Sequence, residues 1–438
     1  MIVNKVKVDV ISIIDKIHIV YYNLNPKEVS LMYNDLLEKV NKYDQQHLLK
    51  YYGELNDIDK QSLLCDINSL DFQLVSRVYD EINSEKILPK DITPMQAGDA
   101  EAFSQEEYDR YFTLGLKEID LGHVAALTMC GGQGTRLGHN GPKGTYDIGL
   151  RSHKSLFEIQ CDGLKTIGKG NIPWYLMTSN INHDDTVSFF EKNNYFGYPK
   201  ENIFFFKQEM MAVLNKNGKI LLENKGKILK SPNGNGGLFV SLKKAGGLDD
   251  MKNRGVKHIF ICGIDNCLVK MADPLFVGYY LEKKAPVAAK SFMKRSAQEK
   301  AAIFCYSGGK PYVIEYTEIP DNLAGMQDEN GKFVYGDTNV LNYIFDIDII
   351  DNLCQYPMPY HVAVKKVSHL DTNSGEYVTI PDGLKFELFL FDYFTQIKDL
   401  SLLRINREEE FAPVKNLTGI DSSETAREMY IKVHEEER

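Results

Sequence analysis

Apolar residues recur along 26–83 with the period of a helix. Leu63, Ile67, Leu70, Leu74 and Val78 follow at spacings of four, three, four and four, which places them on one stripe. Pro26 suits a first helical turn, whose N–H needs no partner, and Gly53 interrupts the run. Leu88 to Gly98 carries Pro89 and Pro94 and little periodicity, so it reads as a linker. From about residue 121 the pattern changes to short apolar runs: Val124–Met129, Trp174–Met177, Ile203–Phe206, Ile259–Ile261, Val287–Ala289 and Tyr312–Ile314. Helical stretches at Lys154–Thr166, Asp184–Asn193 and Pro274–Lys284 lie between the first of them. Such alternation predicts an α/β fold with a mostly parallel central sheet and helices on both of its faces. Ile303–Tyr306 and Pro311–Tyr316, joined by Ser307-Gly308-Gly309-Lys310, predict an added antiparallel hairpin. The expected division is a mainly helical region 1–100, a catalytic unit 101–400 and a short C-terminal segment 401–438.

Composition narrows the class. The chain has 438 residues, 43% hydrophobic and 26% charged, enough to bury a large core. Its 51 basic and 61 acidic residues leave a net charge of −10, which argues against a nucleic-acid binder but leaves room for a local anion pocket. No apolar run reaches the roughly 18–20 residues that span a bilayer. Residues 10–20 are rich in Ile and Val, but Asp9, Asp15 and Lys16 interrupt them, so a buried strand or helix is expected rather than a signal peptide. Seven scattered cysteines make a disulfide framework improbable and fit a reducing, cytoplasmic setting. His258, Cys262 and Cys267 lack a second ligand pair, and Cys262 belongs to an expected buried strand, so the cysteines read as small apolar thiols rather than a metal site. The acidic tail, Glu408 to Glu410 and Glu435 to Glu437, is expected to be solvated.

The chemistry concentrates after Val124–Met129. Cys130 is followed by Gly131, Gly132, Gly134 and Gly138, which let backbone N–H groups approach phosphate oxygens, and Arg136 and Lys143 add positive charge. A polyphosphate is the natural ligand. Three residues, not two, separate Gly134 from Gly138, so the dinucleotide fingerprint and its dehydrogenase reading fit poorly, and no Walker A string occurs.

The segment resembles the UDP-N-acetylhexosamine pyrophosphorylases, within the wider UTP–sugar-1-phosphate uridylyltransferases. It carries their glycine-rich signature at Gly131–Gly138, then Pro142-Lys143-Gly144, Tyr146 to Leu150 and Lys154-Ser155-Leu156-Phe157. The likeness continues through Ile172 to Ser179, Asn233 to Leu238, Asp265-Asn266, Val313 to Tyr316, Asn339, Phe391-Asp392 and Phe411 to Asn416.

That resemblance implies a Rossmann-like catalytic unit and a reversible transfer. A sugar-1-phosphate oxygen attacks the α-phosphorus of UTP in line and pyrophosphate leaves, with no covalent intermediate. N-acetylglucosamine-1-phosphate is the favoured acceptor and UDP-N-acetylglucosamine the product. The same chemistry on N-acetylgalactosamine-1-phosphate or glucose-1-phosphate, or a non-catalytic nucleotide-sugar sensor, stands as the alternative. Arg136, Lys143 and Lys415 match the phosphate-handling cations, and Asp265 the carboxylate that binds Mg²⁺ (or Mn²⁺). Uracil falls to Met129, Gly131, Gly132, Gln208 and Gly234. Sugar contacts fall to Asn235, Ala302, Glu315, Asn339, Phe389 and Phe391, and the last two fit core packing equally well. Cys130 stands where relatives usually have Ala, and Ala302 where they have Gly. No nucleic-acid or membrane partner is implied.

Overall fold

A computed structural model describes residues 25–82 and 91–437, so the expectation for 10–20 lies outside it. The described chain forms two compact units that do not follow one another along the sequence. One takes in 25–82, Glu209–Gly234 and Tyr360–Leu388; the other takes in 91–208, Asn235–Pro359 and the chain from Phe389.

In the first unit, Asn25 opens the helix Pro26–Lys42. Its side-chain oxygen accepts from the N–H groups of Lys27 and Glu28, while Glu28 accepts from Asn25 N–H. The stripe read from the sequence is shared between two helices, Asp57–Asn68 and Phe72–Ile82. Leu63, Ile67 and Val78 are buried in the unit's core, Leu70 lies in the connection, and Leu74 is only partly covered. These helices share that core with a four-stranded antiparallel sheet built on His361–Leu370 and Tyr377–Glu387.

The second unit is organised by an eleven-stranded sheet. Its strands are β1 (Ile92–Pro94), β2 (Ala97–Asp99), β3 (Val124–Met129), β4 (Trp174–Thr178), β5 (Ile203–Lys207), β6 (His258–Gly263), β7 (Val287–Met293), β8 (Ile303–Ser307), β9 (Lys310–Ile314), β10 (Asp337–Asp346) and β11 (Ser401–Arg404). The main path runs β2-β11-β7-β10-β6-β3-β4-β5. Only β10 runs against its neighbours on that path. The supposed linker is therefore partly strand: 91–98 contributes β1, which pairs with β8, and most of β2, which pairs with β11. Because β1 pairs with β8 alone, Pro94 sits on an edge strand, where a missing N–H is tolerated. β8 and β9 form the expected hairpin, and Gly308 and Gly309 both take positive φ (55° and 75°) in its two-residue turn.

The helices about this sheet are α1 (Gln105–Asp120), α2 (Leu156–Gly168), α3 (His183–Lys192), α4 (Leu238–Lys244), α5 (Gly247–Asn253), α6 (Pro274–Lys283) and α7 (Ser423–Val433). Alternation along β3 divides them between two faces. Val124 and Ala126 pack with residues of α1, α2, α6 and α7, whereas Ala125, Leu127 and Met129 pack with α4 and α5. Cys262 and Cys267 are core thiols, and burial pushes both up to about 12.

The acidic tail corrects the expectation of a solvated stretch. Glu410 is buried and ion-paired to Lys270 and Lys290, and Glu437 is buried and accepts the Ser152 N–H at 3.1 Å. Glu408, Glu409, Glu435 and Glu436 remain exposed. A carboxylate with a fixed cationic or N–H partner can leave water, whereas one without stays at the surface.

Candidate active site

The ends of four neighbouring parallel strands supply the site. After β3 the chain moves to β4 and β5 on one side and then returns to place β6 on β3's other side. Connections therefore leave the β3/β6 pair in opposite directions, and a crevice opens beyond their carboxyl ends. The glycine loop follows β3, Asp265 follows β6, Ser179 and Asn182 follow β4, and Gln208 follows β5.

Gln208 lies over Gly131: a Cβ built on Gly131 would fall on the Gln208 carboxamide nitrogen. The absence of a Cβ lets the two approach this closely, and the predicted uracil pair is brought together. The loop then folds on itself, with Gly134 N–H donating to Gly141 O (2.9 Å) and Lys143 N–H to Gly132 O (3.0 Å). Met129 ends β3 buried, and Gly132 is exposed.

Three successive carbonyls of the loop, those of Cys130, Gly131 and Gly132, are occupied. Asn182 Nδ2 donates to Cys130 O at 2.8 Å and Gly132 O at 3.1 Å, and Ser179 Oγ donates to Gly131 O at 2.8 Å. Asn182 Oδ1 in turn accepts the Ser179 N–H at 2.8 Å. Among the described residues, the N–H groups of Gly131, Gly132 and Gln133 have no partner. Neither Ser179 nor Asn182 was among the site residues expected from the sequence.

Lys143 Nζ stands 3.6 Å from Asp265 Oδ2. Burial lowers the Lys143 pKa; the Asp265 carboxylate opposes that shift, and the charges of Lys415 and Arg136 reinforce it. Arg136 is exposed and makes no ion pair among the described residues. Asp265 is not a helix cap. The cap is Asp273, which accepts the Leu275 N–H and opens α6.

Lys415 is brought to Asp265 by a zipper between 265–267 and 410–414. Val414 N–H donates to Asp265 O (2.8 Å), Cys267 N–H to Ala412 O (3.2 Å), and Asn266 Nδ2 to Glu410 O (2.7 Å). Asp265, Asn339 and Lys415 line one cavity of about 150 Å³. That cavity is too small for a nucleotide and large enough for a phosphate group and its counter-ion. Lys415 Nζ also lies 3.5 Å from Asp421.

The expected sugar residues fall into two sets, one about Asn339, which lines that cavity, and one about Asn235. Asn339 N–H donates to Ala302 O at 2.8 Å, and Asn339 Oδ1 accepts from Tyr343 Oη at 2.7 Å. Burial raises the Tyr343 pKa and the nearby Glu315 charge adds to it, so the phenol stays a donor. Asn235 Oδ1 accepts the Leu390 N–H at 2.9 Å and so fixes the start of the segment carrying the aromatic pair. Phe389 and Phe391 stand 5.1 Å apart; Phe391 is core, and Phe389 packs on the edge of that core. Gly234 is the last residue of its segment in the other unit.

The profile of the UTP–glucose-1-phosphate uridylyltransferase family matches residues 71–424. The chain belongs to that family. Among relatives of this uridylyltransferase, the Saccharomyces cerevisiae UDP-N-acetylglucosamine pyrophosphorylase is 36% identical over 90% of the chain and 86% of the relative. UDP-N-acetylglucosamine diphosphorylase 2 of Arabidopsis thaliana is 34% identical over 91% and 83%. The crystal structure of the Trypanosoma brucei uridine diphosphate N-acetylglucosamine pyrophosphorylase, in complex with inhibitor, superposes on this uridylyltransferase with a TM-score of 0.79. It is 27% identical and covers 92% of this chain and 84% of its own.

Proposed function

We propose that this uridylyltransferase makes UDP-N-acetylglucosamine and pyrophosphate from UTP and N-acetylglucosamine-1-phosphate. The observation that carries the reading is the meeting of Lys143, Asp265 and Lys415 beside a loop of unpartnered amides at the carboxyl ends of β3 and β6. The N-acetylglucosamine choice is supported by the names of the relatives that match nine-tenths of the chain.

The chemistry follows from charge. A sugar phosphate has its second pKa near 6, so at neutral pH its oxygen is already a nucleophile and needs no general base. The new bond forms between that oxygen and the α-phosphorus as the bond to the β-phosphate oxygen breaks, and the electron pair leaves with pyrophosphate. Two polyanions must meet, and one unit charge pair at 4 Å is worth about 4 kcal/mol at an effective dielectric of 20. Lys143, Arg136 and Lys415 offset that repulsion, and the loop amides fix the triphosphate's orientation. Gln208 offers a donor and an acceptor to the uracil edge.

Asp265 would hold Mg²⁺ (or Mn²⁺). A single half-exposed carboxylate fits, because this ion is commonly bound by one or two carboxylates plus substrate phosphates. Bound there, the ion would neutralise developing phosphate charge. Lys143, now facing Asp265, would turn toward phosphate oxygens. Among the described residues no helix is long and apolar enough to cross a membrane, and all seven cysteines are free, which supports a reducing, cytoplasmic setting.

Pyrophosphate release across a panel of sugar-1-phosphates tests the assignment. The highest kcat/KM is expected with N-acetylglucosamine-1-phosphate. Preference for glucose-1-phosphate would displace the acceptor, and release with none would displace the reaction.

Lys143 also sets a pH dependence. Its pKa lies below the usual 10.5, and triphosphate binding favours the charged amine. Binding therefore takes up a proton between the two values, and UTP affinity falls as pH rises, starting below the pH where an ordinary lysine would lose its charge. Calorimetry of UTP binding in alkaline buffers of different ionisation enthalpy should register this uptake. Lys143→Arg, which stays charged, should abolish it.

A further inference from the structure

Each planar trans peptide places its C=O and its N–H on opposite sides. The carbonyls of Cys130, Gly131 and Gly132 belong to the same peptide units as the N–H groups of Gly131, Gly132 and Gln133. Holding those three oxygens inward therefore turns those three N–H groups outward. Such restraint matters because glycine on either side leaves a peptide free to flip, which would aim a carbonyl at the ligand.

Asn182 is the one side chain that holds two of these carbonyls, those of Cys130 and Gly132, the latter together with Lys143 N–H. It is fully buried, donates to the first and third of these carbonyls, and its own oxygen is fixed by Ser179 N–H; Ser179 Oγ takes the middle carbonyl. We propose that Asn182, with Ser179, is a positioning residue that locks the 130–133 peptides so that their amides face the oligophosphate of the nucleotide. It touches no substrate itself. The residue acts on the phosphate half of the ligand and leaves the Gln208 side chain, which offers its carboxamide to uracil, in place. The proposal rests on the UTP reading above.

Asn182→Asp keeps the side chain's size and its acceptor for Ser179 N–H but removes both N–H donors and sets a carboxylate against carbonyl oxygens. Binding of UTP and of uridine is measured by calorimetry for the wild type, for Asn182→Asp and for the milder Ser179→Ala, which keeps the test open should the first fail to fold. The affinity ratio of UTP to uridine is expected to fall by about tenfold or more in Asn182→Asp, the scale of one or two buried hydrogen bonds, and less in Ser179→Ala. Uridine affinity stays within about threefold of the wild type in both. A merely structural role would weaken uridine and UTP together, and that result, or an unchanged ratio in the folded variants, overturns the proposal. A wild type that binds UTP no better than uridine overturns the functional reading, and the proposal with it.

Discussion

Replacing Lys143 with alanine is expected to lower kcat by about 10²–10³-fold at saturating UTP and Mg²⁺, equivalent to about 2.7–4 kcal/mol of transition-state stabilisation. The side chain lies at the mouth of the β3/β6 crevice, held near Asp265 at 3.6 Å. Negative charge is redistributed toward the leaving pyrophosphate as the reaction proceeds, so a fixed ammonium there acts more on the transition state than on the bound substrate. The loss should appear in kcat more than in KM. Little stability should change, since the pair with Asp265 is loose and partly solvated. Pyrophosphate release under saturation reads the effect, and turnover equal to the wild type's would remove Lys143 from the phosphate-handling role.

Lys290→Met is expected to destabilise the second unit by about 3–5 kcal/mol. Lys290 is wholly buried, 2.6 Å from Asp273 Oδ2 and 2.5 Å from Glu410 Oε2. Burial favours its neutral form, but the two carboxylates outweigh that and raise its pKa, so the ammonium persists. Removing it leaves buried Asp273 without a cation and Glu410 with Lys270 alone. Glu410 also contributes the carbonyl that Asn266 holds, so the damage should reach the zipper that carries Lys415 and lower turnover as well. Denaturant midpoints at neutral pH measure the loss. Lys290→Met with Asp273→Asn and Glu410→Gln should recover most of it. A single variant as stable as the wild type would contradict this account of the triad.

β3, β4, β6 and β7 were readable because each is buried on both faces along nearly its whole length and so appears as an apolar run. The described β3 begins and ends where its run does, and α6 differs by one residue from its expected span. β10, Asp337–Asp346, was not readable: its first half is polar, and it finds its place only between β6 and β7. Helix α1 carries a sequence signal of its own, the capping box formed by Ser104 and Glu107. The two long strands His361–Leu370 and Tyr377–Glu387 leave no clear apolar run: along much of both, solvent-facing polar residues interrupt the apolar ones, and Pro381 falls in the second.

The site divides in the same way. Arg136, Lys143 and the glycines were legible because they are adjacent in sequence and their residue types state their chemistry. The roles of Asp265 and Lys415 came from a resemblance, and the zipper at 410–414 brings the two together. Asn182 was invisible. A single amide in a loop announces nothing until the pairing of β3 with β4 brings it beneath carbonyls some 50 residues earlier in the chain.

A crystal structure with UTP and Mg²⁺ bound addresses the central claim most directly. The triphosphate should lie against the N–H groups of Gly131, Gly132 and Gln133, with Lys143 Nζ turned from Asp265 onto a phosphate oxygen and the uracil beside Gln208. A nucleotide held elsewhere, with these amides facing solvent, would contradict the assignment.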